Sequence, residues 1–373
     1  MVRISVIIVN YNARYFLKNC IGSILNSKDS PAFEIIVVDN HSSDGSCEML
    51  SKDFPEVVLI RNNANEGFSK ANNKAVSKAN GKYVLILNPD MILPDSAIKQ
   101  VYEFAERTRE LGAVGVQFID GSGNFLPECK RNFPSPKIAG LKFLGFSKGY
   151  YARHINREAT AEVDILTGAF MFLKKSVYQE VGGFDEDFFM YGEDIDLSYR
   201  ITKAGYKNFY LGTVQLIHFK GESTVKNKAY FQNFYGAMGI FYKKHFDPNF
   251  VLSALINGIV NGVILFKSNS TKKPWKQEDE DFEWTYIGRN KNLFTALQIK
   301  FPKATGNMIE SISDTSIATH KLYLDSADVT FSQIISCIHR QNDMGSTNLI
   351  IAQDGTFYVG SETSDNRGEV VFL

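Results

Sequence analysis

Apolar and polar positions alternate between two rhythms along the first two-thirds of the chain. Ile4–Val9 is an apolar run of the kind a strand shows when both faces are covered. Leu17, Cys20, Ile21, Ile24 and Leu25 then recur at helical spacing. Glu34–Val38 reads as a second strand, Val57–Ile60 as a third and Ser69–Ala79 as a helix. Tyr83–Leu87 is a strand, Ser96–Arg109 a helix and Ala113–Ile119 a strand. Strands alternating with helices predict a doubly wound, mostly parallel α/β sheet. Asp120–Asn124 is a turn, and residues 125–160 are irregular, either an acceptor-side loop or a surface excursion. Val163–Leu173 is strand-like, Lys175–Val181 a short helix, and Asp194–Ala204 a helix with Leu197 and Ile201 inward.

Beyond residue 222 the pattern changes. Phe250–Phe266 is apolar but carries Ser253, Asn257 and Asn261 four apart, one polar stripe on a helix. A spanning helix needs about 20 apolar residues with few interruptions. The stripe suits a helix lying on a membrane surface, or one packed on the catalytic domain. Residues 223–267 are therefore read as a helical extension, 268–281 as a linker and 282–373 as a small α/β unit. In that last unit Lys321–Leu324 and Leu349–Ala352 are strand-like and Phe331–Arg340 is helical. Asp354-Gly355 signals a hairpin. No catalytic constellation stands out there.

Lys plus Arg and Asp plus Glu each total 41 in 373 residues. Zero net charge argues against a dedicated nucleic-acid binder. Cys20, Cys47, Cys129 and Cys337 have no metal-like spacing and read as reduced thiols. Met1-Val2-Arg3 leads straight into a strand, so a cytoplasmic enzyme is expected, at the inner face of a membrane if 250–266 makes contact.

The chemistry sits at strand ends. Asn88-Pro89-Asp90 follows the strand Tyr83–Leu87, at the edge where open α/β sheets bind ligands. A carboxylate beside an amide oxygen can hold a hard cation that also grips a diphosphate. The first strand ends in Asn10-Tyr11-Asn12 and the second in Asp39-Asn40. Asp39 can meet a ribose or a base there, or cap the following turn. Asn65-Glu66-Gly67-Phe68 starts a helix carrying Asn73, an amide placed for a pyrimidine edge or a phosphate. Gly182–Asp194 interleaves five acids with Phe, Met and Tyr, and Glu193 or Asp194 at a helix start can deprotonate an acceptor hydroxyl. His218 ends an apolar strand and can complete a metal site with Asp90. The other histidines, His245 among them, lack such a setting.

Together these segments resemble glycosyltransferase family 2, the inverting enzymes with the GT-A fold, and within it the rhamnosyltransferase-like members. The matching stretches are Ser5–Asn12, Val37–Asn40, Leu87–Asp90, Gly182–Asp185, Phe189–Leu197 and His218–Ser223. The resemblance implies a Rossmann-like sheet with flanking helices over residues 1–222. It implies a nucleoside-diphosphate-sugar donor, dTDP-rhamnose by subgroup, and a glycan or lipid-linked acceptor in cell-surface polysaccharide synthesis. It implies Mg2+ or Mn2+ on Asp90 and His218, a nucleotide contact from Asp39, and Asp194 as base with Glu193 its rival; Asn10, Asn12, Asn73 and Asn88 are the further candidate donor contacts. The family usually has Asp-X-Asp where this chain has Asn88-Pro89-Asp90. That departure keeps open a second reading, a nucleotide- or glycan-binding module without turnover. Residues 282–373 are read as an interaction unit.

Overall fold

A computed structural model describes residues 2–135, 138, 149–219, 228–246, 282–312, 317–360 and 369–373. The first sheet has nine strands: β1 (Ile4–Asn10), β2 (Phe33–Asp39), β3 (Val58–Arg61), β4 (Tyr83–Leu87), β5 (Met91–Ile92), β6 (Leu111–Ile119), β7 (Thr160–Glu162), β8 (Phe170–Lys174) and β9 (Lys207–His218). Their order is β3-β2-β1-β4-β8-β6-β9-β5, with β7 on β9 outside that path. Strands β1 to β4 pair in parallel, and so do β6 and β9. β8 is antiparallel to both β4 and β6, so β6 and β9 run in the same sense as β1 and β4.

Around this sheet lie α1 (Arg14–Leu25), α2 (Ser46–Asp53), α3 (Phe68–Lys78), α4 (Ala97–Arg107), α5 (Lys175–Glu180) and α6 (Glu193–Lys203). Every residue of β1, β4 and β6 is buried, which is why these segments read as unbroken apolar runs. α4 shows the complementary pattern, burying Ala97, Ile98, Val101 and Ala105 on one face. The sheet is thus the mostly parallel, helix-flanked α/β layer expected from the alternation.

Two details differ from the pattern. The strand expected over Val163–Leu173 starts only at Phe170, because Phe170 N bonds Thr167 O in a turn. That turn points the Gly168 amide at α6. β5, with two residues, is too short for periodicity to reveal.

α7 (Lys228–His245) buries Ala237, Phe241 and Tyr242 with Ile165, Phe188 and Ile195. Residues 247–281, and with them the 250–266 segment and the linker, lie outside the described residues. Among the described residues no helix is long and apolar enough to cross a membrane.

The second sheet comprises β10 (Glu283–Ile287), β11 (Thr305–Ile309), β12 (Lys321–Asp325), β13 (Thr347–Ile351), β14 (Phe357–Gly360) and β15 (Glu369–Phe372), in the order β11-β10-β12-β13-β14-β15. α8 (Lys291–Lys300) and α9 (Phe331–Arg340) accompany it. α9 opens with a capping box, the Thr330 side chain accepting from Gln333 N and the Gln333 side chain from Thr330 N. β13 and β14 pair antiparallel across the Asp354-Gly355 turn, where Gly355 takes φ 70°. The two sheets share one apolar cluster. Phe16, Ile92, Ile217 and Phe219 of the first pack with Leu324, Phe331, Ile334 and Ile338 of the second. Lys18 Nζ reaches Asp354 Oδ2 at 2.6 Å, and Asp95 N donates to Ser332 Oγ at 3.0 Å. The second unit therefore backs β5 and the end of β9.

Candidate active site

Strand register brings the expected residues to one edge. Asn10 lies opposite Asp39, and Ile8 opposite Leu87, so the chain leaves β1, β2 and β4 side by side. β9 delivers His218 to the same, carboxyl edge, where ligands bind in open α/β sheets. Hydrogen bonds close the far side. Asn88 N donates to Ala169 O at 2.9 Å, and the adjoining Gly168 N donates to Asp194 Oδ2 at 3.2 Å. Asn40 Nδ2 donates to Gly67 O, and Phe68 N donates to Phe189 O in the loop leading into α6.

Asp39 is 2% exposed and held at both oxygens, by Asn10 Nδ2 at 2.9 Å and Ser42 N at 2.8 Å. Asn10 Nδ2 also donates to Ser42 Oγ at 3.1 Å, which leaves its Oδ1 buried without a partner. Asn12, at φ 53°, accepts Ser43 N on its Oδ1. Both asparagines thus fix the loop that presents Asp39. Beside them Tyr11 stays 40% exposed, an aromatic surface at the strand tip.

Asn88 is half-buried at the end of β4. Asp90 and His218, 128 positions apart by numbering, are neighbours because Met91 pairs with His218 across β5 and β9. His218 Nε2 stands 3.4 Å from Asp90 Oδ1. Both side chains are buried, and Asp90 Oδ1 and His218 Nδ1 lack hydrogen-bond partners. An N···O hydrogen bond is about 2.7–3.2 Å, so this pair is too far apart for one. Two neighbouring ligands of one octahedral cation with bonds of about 2.1 Å are about 3.0 Å apart, so the pair would draw in by a few tenths of an ångström around an ion. The donor set, a carboxylate and an imidazole near an amide oxygen, suits Mg2+ or Mn2+. Among the described residues no three His, Cys, Asp or Glu side chains gather into a metal-holding group, so Asp90 and His218 would share such a cation with substrate oxygens or water. Cys20 lies behind them; burial first, then the charge of Asp90, pushes its thiol up, so it stays neutral.

α6 starts after Gly192, whose φ of 79° makes the abrupt turn into the helix. Glu193, Asp194 and Asp196 fill its first turn, where the helix dipole favours acids. Asp194 Oδ2 receives Arg131 Nη2 at 2.6 Å and Gly168 N; its Oδ1 receives only Ile195 N, at 2.8 Å. Glu193 is buried and its Oε2 has no hydrogen-bond partner. Burial, and then the neighbouring Asp194 charge, pushes its carboxyl up to about 8. One carboxyl group of the pair is charge-matched, and burial beside it favours the protonated form of the other.

The remaining acids of 182–196 have structural partners, so most of that cluster is scaffolding. Asp187 pairs with Lys244 at 2.6 Å, and Asp185 with the same amine. Asp196 binds Arg200 and also His245, 2.6 Å from its Oδ1. His245, which has no telling sequence context, thereby joins α7 to α6. Asn73 is likewise committed. Its Nδ2 donates to Phe184 O and Glu186 Oε1, and its Oδ1 accepts from Tyr178 OH and Phe184 N. Four bonds fill the amide, so its geometry is that of a brace for the 184–192 loop rather than of a donor contact. Arg131 and Gly168 are the site residues that sequence reasoning missed: Arg131 lies in the irregular 125–160 stretch, and Gly168 lies in a segment read as strand that turns before Phe170.

Residues 5–182 match the family model described as Glycosyl transferase family 2. Over that stretch, just under half of its length, the chain is similar to glycosyltransferase family 2. Its relatives include an N-acetylglucosaminyl-diphospho-decaprenol L-rhamnosyltransferase of Mycobacterium tuberculosis, 27% identical over 243 residues, 60% of this chain and 78% of the relative. Rhamnosyltransferase WbbL of Escherichia coli K12 is 27% identical over 224 residues, 57% and 82% of the two chains. Among solved structures, the mannosyltransferase PcManGT of Pyrobaculum calidifontis, in complex with GDP-Man and Mn2+, superposes with a TM-score of 0.46 at 18% identity, over 71% of this chain and 70% of that one. The family 2 match ends at residue 182, before α6 and His218, and so says nothing of those acids or of the imidazole.

Proposed function

We propose that this glycosyltransferase moves a sugar, with inversion, from a nucleoside-diphosphate donor to a hydroxyl of a glycan or lipid-linked oligosaccharide in cell-surface polysaccharide synthesis. Two relatives are named rhamnosyltransferases, which supports rhamnose as the sugar, and the subgroup resemblance supports dTDP as its carrier. The observation that carries the reading is the meeting at one sheet edge of Asp90 with His218, and, across the Asn88–Ala169 and Gly168–Asp194 bonds, of the Glu193–Asp194 pair.

Asp39 and the Asn10–Asn12 loop hold the nucleoside. Asp90 and His218, with Asn88 beside them, would hold the Mg2+ or Mn2+. A bound cation there supplies positive charge that eases departure of the diphosphate. The acceptor oxygen attacks the anomeric carbon from the face opposite the diphosphate. The new C–O bond forms as the old one breaks, and the bonding pair leaves with the diphosphate. The acceptor proton passes to Asp194 Oδ1, the oxygen bonded only to Ile195 N. A single displacement inverts the configuration and uses no enzyme nucleophile. A lipid-linked acceptor would bring the enzyme to a membrane face, and residues 250–266 are the segment proposed for that contact.

The test is nucleoside-diphosphate release by the purified protein with a panel of dTDP-, UDP- and GDP-sugars plus Mn2+. Release with an acceptor present, lost in Asp194→Asn while calorimetric donor binding stays within about twofold, fits the proposal. Donor binding with no release under any pairing favours the binding-module reading, and full activity in Asp194→Asn removes that residue from the base role.

A further inference from the structure

Arg131 is a cation buried in a family of contacts that the transfer reaction, as described, does not use. It is 7% exposed and follows a short 3-10 turn at 127–129. Its backbone bridges Ile165 in both directions, Arg131 N to Ile165 O and Ile165 N to Arg131 O, each at 3.1 Å. Its Nη2 divides between Leu166 O and Asp194 Oδ2, both at 2.6 Å, and its Nε has no hydrogen-bond partner. The backbone bridge and the Leu166 carbonyl fix where the guanidinium lies. The guanidinium, together with Gly168 N, then fixes one oxygen of Asp194 and leaves the other turned away.

We propose that Arg131 is a positioning residue for glycosyl transfer: it binds Asp194 Oδ2 so that Oδ1 faces the acceptor hydroxyl. This rests on Asp194 being the base. The surrounding charges agree with it. Arg131 is the cation that faces the pair, and Tyr150 lies against its other side. Asp196 also acts on Glu193, and is itself paired with Arg200 and in contact with His245 from α7. Lys244 of α7 is taken by Asp185 and Asp187. Without Arg131, two buried carboxyl groups share a site with no cation on either among the described residues. Such a pair gives up its first proton at higher pH, by about 1–3 units when an adjacent opposite charge is removed.

The experiment compares wild type, Arg131→Met, Arg131→Lys and Asp194→Asn, with donor binding by calorimetry and kcat and kcat/KM from pH 5 to 9. Arg131→Met is expected to lose about 100-fold or more in kcat with donor affinity within about threefold, as a misplaced catalytic group does. The acid limb of its kcat/KM profile is expected to move up by about one pH unit or more. Arg131→Lys, which keeps charge but not the fork, restores the limb towards wild type and only part of kcat. If Arg131→Met does not fold, the lysine variant decides: a kcat equal to wild type, or a fall in kcat and donor affinity together, overturns the proposal. So does an Arg131→Met profile with an unmoved acid limb. An active Asp194→Asn overturns the base assignment instead, so the two failures are told apart.

Discussion

Glu193 offers a test of the site's electrostatics that needs no substrate. Its carboxyl is buried, lacks a partner on Oε2 and sits beside Asp194, which raises it from an ordinary 4.5 to about 8. The native state therefore holds this proton across a pH range in which the unfolded chain has released it. Stability falls wherever the native state binds more protons, so the contribution is fully present below about 4.5 and is lost progressively up to about 8. At pH 7 the gap from 4.5 corresponds to a loss on the order of 3 kcal/mol, at 1.36 kcal/mol per pH unit. Glu193→Gln keeps the size of the protonated acid and cannot ionise. Urea unfolding of both proteins at pH 5, 6, 7 and 8 reads the difference, in which groups remote from Glu193 cancel. The variant is expected to lie within about 1 kcal/mol of wild type at pH 5 and to be more stable by about 3 kcal/mol at pH 7. A difference that does not change with pH, or one that favours wild type as the pH rises, would refute the reasoning.

Asp90→Asn and His218→Ala are each expected to weaken Mn2+ binding in the presence of nucleoside diphosphate by about tenfold or more, about 1.4 kcal/mol, read by calorimetry. Neither should shift thermal unfolding in the absence of metal by more than a few degrees. Gly67 takes φ 83°, and a Cβ there would stand 2.6 Å from Phe189 O. Gly67→Ala is expected to cost at least about 1–3 kcal/mol in urea unfolding and to raise KM for the donor, because the strained turn ties the helix start of α3 to the 184–192 loop.

The parallel core was legible because burial on both faces leaves apolar runs that polar surface elements never show. β1, β4 and β6 are of this kind. β8 was legible as a strand but not as an antiparallel one, since an alternation of elements says nothing of direction when a strand returns by an irregular loop. The Asp90–His218 pair was legible from chemistry at strand ends, although what joins them is the two-residue β5, which no periodicity could show. The acids of 182–196 misled by number: three of them meet Lys244 and Asn73, partners remote in sequence. Arg131 was invisible for the same reason, because its meaning lies wholly in a contact 63 positions away.

The central claim is that one edge of the first sheet holds the nucleoside diphosphate and its cation within reach of the acids opening α6. A crystal of the full chain soaked with Mn2+ and nucleoside diphosphate tests it most directly through the manganese anomalous signal. The account predicts a peak within about 2.0–2.3 Å of an Asp90 oxygen and a His218 nitrogen. The diphosphate would lie on that ion and the base beside Asp39. Manganese bound elsewhere, or a diphosphate seated on the second sheet, would contradict it.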